Sequence, residues 1–66
     1  MEISLNGRTE AVAEGITVAE LIRQKLPQVQ RLAVEVNLEI VPRNEHERCV
    51  LSAGDRVEIV RAIGGG

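Results

Sequence analysis

The sequence predicts an α+β fold, with one helix laid across one face of a mixed sheet. Three observations predict it. Apolar and polar residues alternate near both ends of the chain, at Met1, Ile3 and Leu5 and again at Val57 and Ile59. One stretch, Val18 to Leu26, spaces its apolar residues as a helix does. Turn residues punctuate the rest, with no linker and no internal repeat. At 66 residues the expectation is a single domain, 1–66, with a small core. A chain of this size buries only about 60% of its unfolded surface.

The first element is a hairpin. Met1, Ile3 and Leu5 form one face of a half-buried strand. Asn6-Gly7 follows, the favoured pair for a tight turn whose two central residues both take positive φ. The return strand is expected from Arg8 to about Val12, with Gly15 ending it. Thr17 and Glu20 then have the spacing of a capping box, in which each side chain satisfies a backbone N–H at the helix start. Val18, Leu21, Ile22 and Leu26 make one apolar stripe, and Pro27 cannot continue the helix.

A second alternating stretch runs from Leu32 to Asn37, with Leu32, Val34 and Val36 inward and Glu35 outward. Ile40 to Arg43 reads as a short extended piece, and Asn44 as the cap of a single helical turn through Glu47. Cys49 to Leu51 reads as a short strand, and Ala53-Gly54-Asp55 as a turn. The last strand spans Arg56 to Ile63, with Val57 and Ile59 facing in and Val60 and Ala62 facing the other side. The first and last strands then become central, parallel neighbours joined through a crossover. This is the β-grasp order, a sheet of four to five strands covered by one main helix.

Composition narrows the function. The net charge is −2 with charges interspersed, and there is no Phe, Tyr or Trp. That leaves neither a basic footprint nor stacking platforms for nucleic acid. No apolar run approaches the roughly 20 residues of a membrane span. Met1-Glu2-Ile3 does not resemble a secretory signal. The single cysteine makes no internal disulfide, so a cytoplasmic setting is expected.

An enzyme needs a constellation, and one His, one Cys and one Lys hardly build it. His46 and Cys49 lie three residues apart with no third group to orient them. Cys49 reads as a small packing residue and His46 as a solvated one. Three or four metal ligands are not gathered either. Arg43, Arg48, Arg56 and Arg61 are dispersed among Glu45, Glu47, Asp55 and Glu58. Most such residues form a solvated face, and some could steer an acidic partner.

The remaining feature is Gly64-Gly65-Gly66. Glycine gains no packing, so these residues are expected to form a flexible tail. Placed after a central strand, three extended residues reach about 10 Å. Without side chains they could thread a narrow slot and present the Gly66 carboxylate to a partner's active site. That carboxylate is inert at neutral pH until an ATP-using enzyme makes it a mixed anhydride.

The chain resembles the small ubiquitin-like sulfur carriers of thiamine biosynthesis, the ThiS family. The resemblance runs through "ISLNG", "GITVAELI", "VEVNLEIVPRNEHER" and "LSAGDRVEIVRAIGGG". Its more specific pieces are Asn-x-x-Ile-Val-Pro-Arg at Asn37 to Arg43 and Gly-Asp-Arg-Val-Glu-Ile-Val at Gly54 to Val60. The resemblance implies a carrier, not an enzyme, with no bound cofactor. A ubiquitin-activating-type adenylyltransferase would use ATP to adenylate Gly66. Sulfur from a cysteine desulfurase would leave a thiocarboxylate there, for thiazole synthase to consume. Gly65, with Gly64 before it, would give the tail access. The absence of aromatics departs from the family, and His46 stands about where the short turn often carries a Trp. The free protein is expected to be monomeric, with Val60 and Ala62 as a possible docking surface. Rival readings are a carrier for molybdopterin or another thiolation pathway, a ubiquitin-like protein modifier, and a plain interaction domain.

Overall fold

The computed structural model describes residues 1–28 and 31–61. Its elements are β1 (Glu2–Leu5), β2 (Arg8–Ala11), α1 (Val18–Lys25), β3 (Leu32–Val36), β4 (Glu39–Val41), a 3₁₀ turn at Arg43–Glu45, and β5 (Arg56–Arg61). They form one five-stranded sheet in the order β2-β1-β5-β3-β4. β5 is central. It runs parallel to β1, with Leu5 opposite Val57, and antiparallel to β3, with Val34 opposite Ile59. The remaining pairs, β1 with β2 and β3 with β4, are antiparallel. The expected α+β class and β-grasp order are therefore present.

Local chemistry explains the elements. Asn6 and Gly7 have φ of 51° and 83°, the two left-handed positions that the β1–β2 turn requires. At the start of α1, Glu20 N–H donates to Thr17 Oγ1 at 3.1 Å and Thr17 N–H donates to Glu20 Oε1 at 3.0 Å. The capping box thus satisfies two groups that the helix leaves open. It also pulls the Glu20 carboxyl below its ordinary pKa, first through the backbone bond from Thr17. At the other end the N–H of Leu26, the residue before Pro27, closes the helix by donating to Ile22 O at 2.7 Å.

The core lies between α1 and the sheet. Ile3, Ile16, Val18, Leu21, Val34, Leu51, Val57 and Ile59 are buried together, and Leu32, Val36 and Cys49 pack partly buried against them. Each fully buried aliphatic side chain contributes about 1.5–3 kcal/mol, and no aromatic is needed to fill the space. Val57 is fully buried and Val60 is 62% exposed, as alternation along β5 requires.

The stretch from Glu39 to Leu51 departs from expectation. β4 covers Glu39–Val41, so Pro42 and Arg43 fall outside it. Asn44 does not cap a helical turn. Pro42 occupies the cap position, with no side-chain bond, and Asn44 lies inside the 3₁₀ turn. A proline's fixed φ suits that entry. Cys49 to Leu51 is not a strand. Among the described residues its ladder contact is a single bridge between Val50 and Thr17, and Leu51 enters the core beside Ile16, to whose carbonyl its N–H donates at 2.9 Å. The expected extension of β5 through Ala62 and Ile63 lies outside the described residues. Among the described residues no helix is long and apolar enough to cross a membrane.

Candidate docking face beside the last strand

Of the residues singled out in the sequence, Ala62, Gly64, Gly65 and Gly66 lie outside the described residues. The structure describes their base. β5 is held along its length by β3, from Val36 opposite Val57 to Leu32 opposite Arg61. On its other side the β1 ladder stops at Leu5, and Asn6 continues it with its side chain. Ile59 N–H donates to Asn6 Oδ1 at 2.8 Å, and Asn6 Nδ2 donates to Ile59 O at 3.3 Å. The other end of β5 carries a similar arrangement. Arg56 N–H donates to Asn37 Oδ1 at 2.9 Å, Asn37 N–H donates to Arg56 O at 2.7 Å, and Asn37 Nδ2 reaches Asp55 Oδ1 at 3.0 Å. Two asparagines in left-handed turn positions thus bracket the central strand, and it leads into the glycine segment from a fixed base.

The sheet face opposite α1 is open. Val60 pairs in register with Ala33, and both are exposed. Next along the sheet, Glu35 lies between Glu58 on β5 and Ile40 on β4, and Ile40 is 67% exposed. Val60, Ala33 and Ile40 therefore offer apolar contact beside two carboxylates in direct register. Like charges so placed repel. A partner bringing apolar side chains and a basic group would bury the first and relieve the second.

Cys49 and His46 have separate polar surroundings. His46 is half-buried and not solvated as the sequence suggested, because its Nε2 lies 3.1 Å from Val41 O. Cys49 is half-buried, and desolvation, helped by Asp55 and Glu45, raises its thiol pKa above the ordinary value. A thiol with a raised pKa is a poor nucleophile at neutral pH. Among the described residues no group of three or more His, Cys, Asp or Glu is gathered as a metal would require. The four dispersed arginines sit at or near the ends of two elements. Arg56 opens β5, Arg61 ends its described part opposite Leu32, Arg48 follows the 3₁₀ turn, and Arg43 begins that turn. Sequence reasoning missed the strand-binding role of Asn6 and Asn37, whose partners are distant in sequence. Turn chemistry was their visible signal.

Known proteins are similar to this chain in sequence and in fold. The family model described as the ThiS family matches residues 2–66. Thiazole synthases of Paramagnetospirillum magneticum and Magnetococcus marinus are 36% and 35% identical over all 66 residues. The chain spans only 20% of the length of each. The sulfur carrier protein ThiS of Escherichia coli is 32% identical over the full length of both chains. A crystal structure of the thiamine biosynthesis protein ThiS from Geobacter metallireducens superposes with a TM-score of 0.85 at 33% identity, covering both chains completely. A solution structure of a thiamine biosynthesis protein from the same organism gives 0.77, covering all of this chain and 88% of that one. Sequence across residues 2–66 and fold across the whole chain agree, and the chain belongs to the ThiS family.

Proposed function

We propose that this protein carries sulfur for the thiazole ring of thiamine as a thiocarboxylate on Gly66. The carrying observation is the family match across residues 2–66, which includes the glycine segment. The clamped central strand supports the reading physically. A rigid base followed by residues without side chains suits delivery of one group into a partner's narrow site.

The chemistry follows from what a carboxylate lacks. Its oxygen would attack the α-phosphorus of ATP on an adenylating enzyme, releasing pyrophosphate and leaving an acyl-adenylate. The terminal sulfur of a protein persulfide would then attack the carbonyl carbon, and AMP would leave. A second thiol would cleave the resulting acyl disulfide, taking over the other sulfur as a disulfide and leaving the thiocarboxylate. The carrier contributes shape and one carbonyl, and its partners contribute every catalytic group. Thiazole synthase as the recipient is supported by the two relatives of that name that contain a segment like this chain. The adenylating enzyme and the cysteine desulfurase are what the chemistry needs upstream.

Val60, Ala33 and Ile40 are the docking surface in this reading, with Ala62 as its expected continuation. Gly65 and Gly64 provide access to Gly66.

Intact mass of the protein isolated from cells tests the proposal. A rise equal to sulfur replacing one oxygen, mapped to Gly66, is the expected result. A ladder of heavier conjugates would make it a modifier instead. A chain continuing past Gly66 would have no carboxylate there and would end the reading.

A further inference from the structure

On the side of the sheet that α1 covers, α1 and the 3₁₀ turn enclose a groove of about 220 Å³. Its apolar surface comes from Ala19, Ile22 and Leu32, and Arg23 and Arg43 also line it. The His46 ring, tethered to Val41 O, forms one wall. Leu32 lies opposite Arg61 in register, so the groove sits at the end of the sheet from which the glycine segment follows. By strand alternation Arg61 shares this face with Val57 and Ile59.

Charge distinguishes this groove from the open face. The open face sets Glu35 and Glu58 in register beside Val60. The groove carries two guanidinium groups and one carboxylate, Glu47. Glu47 accepts from Arg23 Nη1 at 3.0 Å, with both side chains well exposed. Exposed pairs of this kind contribute little, so Arg23 can exchange Glu47 for another carboxylate. Arg43 makes no salt bridge among the described residues. A bare inorganic anion would leave the aliphatic floor wet.

We infer that the groove docks an acidic segment of a partner protein through one aliphatic side chain, with flanking carboxylates on Arg23 and Arg43. The aliphatic group buries the floor, and the carboxylates meet guanidinium forks suited to bidentate contact. The carrier therefore has two docking faces of opposite electrostatic preference, one on each side of the sheet. A partner matched to the open face is repelled here. This inference is independent of the sulfur chemistry, and its test reads binding alone.

The test is an amide-detected NMR titration of the full chain. The probe is an acetylated, amidated peptide with one leucine flanked by glutamates. Saturable shifts should centre on Ala19, Ile22, Leu32, Arg43 and His46. Arg43→Glu should weaken binding about tenfold or more, because a contact is replaced by repulsion. Arg43→Lys should retain most of it. Arg43 is exposed, and an unchanged spectrum away from the groove will show that both variants fold. Three results would overturn the inference: no saturable shifts, equal binding of the same peptide with lysines for glutamates, or equal shifts from inorganic phosphate. Shifts centred on Val60 and Ile40 would place the contact on the other face and overturn it as well.

Discussion

The side-chain amide of Asn6 pairs with both backbone polar groups of Ile59, taking over where the β1 ladder ends. The two residues are 53 apart in sequence. A turn residue thereby secures the strand that leads into the glycine segment. Asn6→Gly keeps the left-handed backbone and removes only the side chain. It should cost about 1–2 kcal/mol, since it leaves a part-buried backbone pair unmet. Hydrogen exchange at the Ile59 amide should accelerate more than elsewhere in the sheet. Unchanged protection at Ile59 would show that the clamp contributes nothing.

Leu38 is strained and exposed at once. Its φ is 71° and its surface is 72% exposed, in a turn that Asn37 ties to Asp55 and Arg56. A bulky residue in the left-handed region costs about 1–2 kcal/mol, and glycine returns part of that as unfolded-state entropy. Leu38→Gly should therefore stabilise the fold by about 0.5–1 kcal/mol. A thermal melt showing no gain would mean that Leu38 packs in a way its exposure conceals.

Cys49 is expected to support packing and not sulfur transfer. Cys49→Ala should cost about 1 kcal/mol from lost contact and leave thiocarboxylate formation intact. Burial raises the folded-state thiol pKa, so the folded protein holds this proton more tightly than the unfolded chain. Its contribution is fully present below the unfolded value and declines as pH rises through the folded one. Denaturant midpoints should thus show an alkaline loss in the parent that is smaller in Cys49→Ala. Sulfur loading abolished in a folded variant would reject the role.

Val60 tests the open face. It is exposed, so Val60→Asp should change stability by no more than about 0.5 kcal/mol. The new carboxylate would stand near Glu58 and Glu35, making the face less fit for an apolar contact. Adenylation should show a raised KM that higher carrier concentration overcomes. Unchanged kinetics with both the adenylating enzyme and thiazole synthase would remove this face from consideration. Val57→Asp, by contrast, places a charge in the core and should prevent folding.

Local signals made most of the fold legible. Asn6-Gly7 gave the first hairpin, Thr17 and Glu20 gave the helix start, and Val57 and Ile59 gave the inward face of β5. Each rests on chemistry between near neighbours. The errors fall where several weak signals compete. Asn44 has cap chemistry, but Pro42 two residues earlier sets the entry to the turn. Cys49 to Leu51 has strand composition, yet among the described residues it forms a single bridge, from Val50 to Thr17, the residue that caps α1. The amide bonds of Asn6 and Asn37 span 53 and 19 residues and leave no periodic trace. The groove was illegible for a similar reason. It brings Arg23 on α1 and Arg43 on the 3₁₀ turn together only after the chain has folded.

The position of β5 bears on how the protein is made. Its partners are β1, near the start of the chain, and β3, and it supplies Val57 and Ile59 to the core. During synthesis every other strand leaves the ribosome first and must wait with the middle of the sheet vacant. β1 and β3 then expose the edges that β5 will occupy, a state open to mispairing. Stable folding begins only once Arg61 has emerged. Substitutions that weaken the pairing of β5 should therefore lower yield more than equivalent changes in the edge strands β2 and β4.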